Sequence, residues 1–175
     1  MIRFRFSPGK ARAALLWMVE QQPDVDLHTA LKACYFADKQ HINEYLRPIF
    51  GATYRAMRFG PVPLEIYEMA KGDAIWLAEL DADSYPWKIQ GYRLCRRGNE
   101  APELDLLSES DMEALRAGFD RSRSMTFNER TAATHGNDWQ AANLDLMAYE
   151  DMLEDGPDKA EKVEYIRATA HRMRL

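Results

Sequence analysis

A chain of 175 residues with 46% hydrophobic and 11% aromatic content is long enough for one domain with a substantial core and too short for two of ordinary size. Its 23 Lys and Arg against 28 Asp and Glu give a net charge of −5, which argues against a protein that grips nucleic acid mainly through its phosphates. The apolar run from Ala13 to Val19 is bounded by Arg12 and Glu20, far short of the ~20 residues that cross a bilayer. Pro8, Gly9, Lys10 and Arg12 interrupt any signal-peptide core, so the expected location is the cytoplasm. Cys34 and Cys95 have no metal-ligand spacing and are expected to be free, buried thiols. Two basic clusters, Arg93, Arg96 and Arg97, and Arg167, Arg172 and Arg174 with His171, read as solvated faces or helix ends.

In chain order, Ser7 before Pro8 predicts an N-cap with proline in the first turn, and a helix that Pro23 stops after Gln22. Ala11, Ala14, Leu15 and Met18 form its expected core face. Asp26 should cap a second helix, whose Leu27, Leu31, Cys34, Tyr35, Asp38, Ile42 and Tyr45 recur at helical spacing. Prolines and glycines then forbid a long helix. Residues 53–59 read either as a strand with Tyr54, Ala56 and Arg58 on one face or as a short helix. Gly60 to Pro63 reads as a rigid turn, and a third helix starts at Pro63 and closes at Gly72. A hairpin is expected from 89–95 and 103–107 around Gly98-Asn99, with Tyr92 and Leu94 on one face. Capping boxes at Ser110 to Glu113 and Thr126 to Glu129 predict two helices, Asn137-Asp138-Trp139 a further cap, and 149–153 one more turn. A charged last helix over 159–173 carries a thin apolar stripe of Val163, Ile166 and Ala170. The expected fold is mainly α (α+β): a compact helical domain with a small antiparallel hairpin or sheet and a C-terminal helix.

No phosphate-loop, dinucleotide, zinc-protease or nucleophile-elbow motif occurs, and neither a metal nor a cofactor is expected. Asp38 and His41, three apart on one helix, with His135 from a distant segment, are the best titratable group. A hydrogen bond between Asp38 and His41 is the simpler account of the pair. Tyr35, Tyr45, Tyr54 and Tyr67 would line a polar pocket or sit in the core. Trp76 and Trp87, with Tyr85, are either an exposed anchor for a partner or core residues.

The run Leu31-Lys32-Ala33-Cys34-Tyr35-Phe36-Ala37-Asp38 with His41 is followed by Arg47-Pro48-Ile49, by Tyr54 and Ala56, and by Gly60-Pro61-Val62. Leu107 to Leu115 and Thr134-His135 before Trp139 complete a series that resembles the Panacea domain, the SocA-like antitoxin domain of phage-associated proteins, over residues 7–154. Leu46 stands where that family usually has glycine, Ala33-Cys34 replaces its usual leucines, and the tail after Gly156 matches nothing in it. Carried over by motif, Tyr35, Asp38, His41, Arg47, Pro48, Tyr54, Arg58, Gly60, Pro61, Val62, His135 and Trp139 are the fold or pocket positions. The resemblance implies an antitoxin domain over 1–156 with a helical tail over 157–175. It implies no enzyme activity: the protein would bind a cognate toxin, and one form of the idea delivers that toxin to a Clp-type AAA+ protease. The toxin surface is then expected at Trp76, Tyr85, Trp87 and Arg167. A competing reading is a small enzyme or ligand binder built on Asp38, His41, Tyr54, Arg58 and His135; a membrane partner is not expected, and a nucleic-acid regulator is the least favoured reading.

Overall fold

The computed structural model describes all 175 residues. Helix α1 (Pro8–Gln21) begins with proline in its first turn, where a missing N–H costs nothing. Ser7 occupies the cap position, but its side chain makes no capping bond; its N–H instead donates to the Phe50 carbonyl at 2.9 Å. Every residue from Lys10 to Val19 is buried, so α1 is enclosed on all sides rather than along the four-residue face its spacing predicts. The two-residue strand β1 (Val25–Asp26) leads into α2 (Leu27–Tyr45), where the Asp26 carboxylate accepts the Thr29 N–H at 2.8 Å as expected. Helix α2 ends at Leu46, which is left-handed at φ 56°. That conformation favours glycine and costs an L-residue roughly 1–2 kcal/mol, and the Leu46 side chain packs on the core in return.

The ambiguity over residues 53–59 resolves as a strand. Strand β2 (Tyr54–Met57) buries Tyr54 and Ala56 and exposes Arg55, while Arg58 lies beyond it in the turn. Gly60 to Pro63 is not a turn but strand β3 (Gly60–Pro63), antiparallel to β2 with Tyr54 opposite Pro63 and Met57 opposite Gly60. Prolines are tolerated there because β3 has a neighbour on one side only. Helix α3 (Leu64–Ala70) follows.

The predicted second hairpin is also displaced. It forms wholly within the first run, β4 (Trp87–Gln90) against β5 (Arg93–Arg96), and turns at Gly91-Tyr92 with Gly91 at φ 60°. A two-residue loop that needs positive φ suits Gly91; Gly98, also at positive φ (75°), lies beyond β5, where 104–106 offers no strand to pair with. Tyr92 is consequently 83% exposed in the turn while Leu94 is buried, and β1 extends the sheet in the order β1-β5-β4. Residues 104–106 form a short 3-10 turn rather than a strand. Cys34 is buried and Cys95 half-buried, and both are free.

Helix α4 (Glu109–Arg123) is capped two residues earlier than predicted, by Ser108 instead of Ser110. Ser108 accepts the Asp111 N–H and the Asp111 carboxylate accepts the Ser108 N–H, a reciprocal box in which aspartate replaces the expected Ser110 and Glu113 pair. Helix α5 (Phe127–Ala133) is capped by Thr126 and Glu129 as the sequence predicts. Helix α6 (Asn137–Ala142) is capped by Gly136, which leaves Asp138 free for a different role. Helix α7 (Tyr149–Met152) is the expected single turn. Helix α8 (Lys159–Thr169) passes into a 3-10 turn over Ala170–Arg172. Ile166 is fully buried and Ala170 nearly so, both in the main core cluster, with Val163 packed against it.

The fold is mainly α, with eight α-helices and two small antiparallel sheets. Its central contact is α2 against α4. A Cβ added at Gly118 would lie 2.6 Å from the Ala33 carbonyl oxygen and 2.9 Å from the Ala37 nitrogen, both backbone atoms. The two helices meet at small residues and touch backbone to backbone. The Gly118→Ala substitution is therefore expected to lower unfolding free energy by about 1–3 kcal/mol through overpacking, read as a fall in urea midpoint; an unchanged midpoint would show that the helices separate freely.

Candidate functional site

Because α2 runs through the interior, its polar side chains must find partners there. Asp38, fully buried, accepts hydrogen bonds from the backbone N–H of Ile49 at 2.7 Å and of Phe50 at 3.2 Å, and from the Tyr54 hydroxyl at 3.0 Å. Burial pushes its carboxyl up to about 6 against the pull of those three donors. Asp38 thus fixes the segment after α2 to the helix. His41, one turn on, is also fully buried and faces elsewhere. Its Nδ1 donates to the Arg47 carbonyl at 2.8 Å, and its Nε2 lies 3.1 Å from Ser110 Oγ and 3.1 Å from Asp111 Oδ1. Asp111 also receives Lys10 Nζ at 2.6 Å and an Arg47 guanidinium nitrogen at 3.1 Å. Burial opposes its ionisation, but the hydrogen bonds from His41, Lys10 and the Ser108 backbone hold its carboxyl well below the usual range. The expected Asp38–His41 hydrogen bond does not form; each residue ties α2 to a different segment.

A third link joins α2 to α6. Tyr35 donates its hydroxyl to Asp138 Oδ2 at 2.5 Å, and Lys39 Nζ approaches the same oxygen at 3.1 Å. Burial and the Asp138 charge raise the Tyr35 phenol well above its ordinary value. Next to Asp138, Trp139 donates its indole N–H to the Met57 carbonyl at 2.9 Å, and the His135 ring stacks on it at 3.7 Å between centroids. The structure therefore joins Asp38 with Tyr54, His41 with Arg47, and His135 with Trp139. It does not gather Asp38, His41, Tyr54, Arg58 and His135 into one pocket.

The expected partner anchors divide in the same way. Trp87 and Tyr85 are buried and stacked at 5.1 Å, with the Tyr85 hydroxyl donating to the Asp73 carbonyl at 2.5 Å, so neither is an exposed anchor. Their alternation in β4 and the turn before it directs both rings to the core. Trp76 is half-buried edge-on against Phe6, and Arg167 is exposed and paired with Glu164. No group of three His, Cys, Asp or Glu side chains is placed to hold a metal ion.

What the sequence did not reveal is a groove of about 1010 Å³ between α2, the β2–β3 turn and α5. Leu27, Leu31, Met57, Val62 and Phe127 supply apolar walls, and Lys32, Arg58, Arg93 and Arg130 supply cations against the single carboxylate of Asp26. Lys32 is 1% exposed, and its Nζ donates to the Pro61 carbonyl at 2.6 Å. Burial, helped by the Arg130 charge, pushes this amine down to about 7. Arg130 is itself held by the Ser122 and Met125 carbonyls at 2.8 and 2.7 Å. Its guanidinium also donates to His28 Nδ1 at 2.9 Å, while His28 Nε2 donates to the Phe59 carbonyl at 3.1 Å, an arrangement that requires a neutral imidazole. Burial, with the charges of Lys32 and Arg130, pushes His28 down to about 4. Gly60, at φ 96°, closes the base: a Cβ there would collide with Thr134 Oγ1 and lie 3.0 Å from Lys32 Cε. One sequence signal pointed here. Lys32 stands among Leu31, Ala33, Tyr35 and Phe36, inside the most apolar stretch of α2.

Residues 31–140 match the family model described as the SocA-like antitoxin, Panacea domain. The chain belongs to that family. Neither a curated protein nor a solved structure matches it. The matched span of this Panacea domain opens inside the second helix, after the groove residues Asp26, Leu27 and His28, and closes just after Trp139, so it contains the Asp38 and Asp138 links and most of the groove. Lys10, the outer partner of Asp111, lies before it.

Two outcomes follow from these contacts. Asp38→Ala leaves the buried N–H groups of Ile49 and Phe50 without an acceptor and is expected to cost about 3 kcal/mol or more, against about 1 kcal/mol for Tyr54→Phe, measured by urea denaturation. For Lys32 the folded amine titrates near 7, below its ordinary 10.5. Between those values the unfolded chain holds more protons, so this residue makes stability rise with pH. Melting curves from pH 7 to pH 9 should show that rise in the native protein and a flatter profile in Lys32→Met; parallel profiles would mean the amine is well solvated.

Proposed function

We propose that this protein is the antitoxin of a toxin–antitoxin pair and that it neutralises a cognate toxin by binding it directly, with residues 1–156 as the binding domain and 157–175 as a helical tail. The observation that carries this reading is the family match over residues 31–140. The fates of the titratable residues support binding over catalysis, since Asp38 and His41 are engaged with backbone and buried partners. A net charge of −5 suits a protein that masks a basic, nucleic-acid-directed toxin. Delivery of the bound toxin to a Clp-type AAA+ protease is the stronger form of the same reading.

The alternative, a small-molecule binder or enzyme, draws its support from the groove beside Lys32, which Arg58 lines but Asp38, His41, Tyr54 and His135 do not. The deciding experiment is growth rescue. The adjacent open reading frame is induced with and without this protein, and the two products are tested for co-purification. Relief of toxicity together with a stable complex is expected; a harmless neighbour, or one that stays lethal beside abundant antitoxin, would sink the antitoxin reading. In a protease-deficient host, loss of the toxin's turnover marks the adaptor form, and undiminished protection marks simple masking.

A further inference from the structure

Two properties mark the groove between α2, the β2–β3 turn and α5. The first is its charge. The chain is acidic overall, yet four cations line this groove against one carboxylate, and that carboxylate, Asp26, already caps α2 and lies 3.8 Å from Arg130. The second is the Lys32 amine. An ammonium carries three donors, and here the one hydrogen bond it makes is to the Pro61 carbonyl. A lysine this deeply buried without a counter-ion is costly to the fold on its own. The opening is apolar: Phe59 and Phe127 meet edge-to-face at 5.2 Å and remain 47% and 45% exposed.

We propose that this groove is the docking site for a segment of the partner protein that sets one carboxylate against the Lys32 amine and its flanking apolar side chains against Phe59 and Phe127. The inference rests on the antitoxin reading for the identity of that partner, and it names the chemistry of the contact. A peptide fits better than a metabolite, because the volume of about 1010 Å³ lies at the upper limit of small-ligand pockets and the walls are open to solvent along the aromatic rim. It fits better than nucleic acid, because the deepest cation is reached only through apolar side chains and presents one amine rather than a row of phosphate contacts. The carboxylate supplies the acceptor that the two remaining Lys32 donors lack. Of the charged groups facing it, Arg130 reinforces the attraction, His28 stays neutral, and His135 lies to one side stacked on Trp139.

The test does not need the toxin. Fluorescein-labelled nonapeptides with a central glutamate flanked by leucine and phenylalanine in permuted order are titrated into the full chain by polarisation, each beside its glutamine counterpart. Saturable binding of glutamate peptides, about tenfold tighter than glutamine ones, is expected from a charge-assisted hydrogen bond in an apolar site. Lys32→Met should abolish that preference, and Phe59→Ser with Phe127→Ser should weaken binding while the melting temperature holds. The proposal is overturned if no peptide binds, if glutamine peptides bind equally well, or if Lys32→Met keeps the preference. Binding of octanoate or ATP without any peptide overturns it in favour of a small-molecule site. The same variants then enter the growth-rescue assay: failure of the native protein there sinks the antitoxin reading alone, whereas full rescue by Lys32→Met and by the double serine variant removes the groove as the toxin surface and leaves the antitoxin reading standing.

Discussion

Helix α2 passes through the middle of the molecule with almost all of its first sixteen residues buried, and the rest of the structure depends on how its polar side chains are satisfied there. A buried helix made only of apolar residues could rotate or slide against its neighbours at modest cost. This one carries Lys32, Tyr35, Asp38 and His41, each hydrogen-bonded to a group on another segment. Tyr35 sets α6, Asp38 sets the segment before β2, His41 and Asp111 set α4 and α1, and Lys32 holds β3. The close approach at Gly118 adds a steric stop to these directional ones.

That arrangement explains why residues of catalytic type make no catalytic group. An aspartate and a histidine three positions apart lie on the same side of a helix, but here the intervening angle is enough to point them into different neighbours. Asp38 is saturated by two backbone donors and a phenol. His41 is oriented by a carbonyl on one side and by Asp111 on the other. Such residues specify one packing of α2, a role that buried polar groups fill in some proteins at a cost in stability.

Lys32 is the exception among the four. Its single carbonyl partner leaves a buried amine at the base of a groove with apolar walls, three other cations and one carboxylate, Asp26. The polar links hold the frame rigid, and the unfinished one lies buried at the base of the groove. A rigid frame that presents one incompletely satisfied cation is suited to recognition, because little ordering entropy remains to be lost on binding.

The sequence by itself determined the helical character of the chain, its family, and the caps that local chemistry decides: Asp26 on α2, Thr126 with Glu129 on α5, and proline at the start of α1. These follow from contacts within three or four residues. Strand pairing was less legible. The turn at Gly91-Tyr92 outcompeted Gly98-Asn99, and Gly60 to Pro63 became a strand, because pairing depends on what lies across the ladder. The tertiary structure alone decided which polar residues meet. The bonds from Lys10 to Asp111, from Tyr35 to Asp138 and from Trp139 to Met57 span 101, 103 and 82 positions, and no local pattern encodes them. The groove is of the same kind, since α2, the β2–β3 turn and α5 create it only by packing together around a lysine whose burial no spacing rule announces.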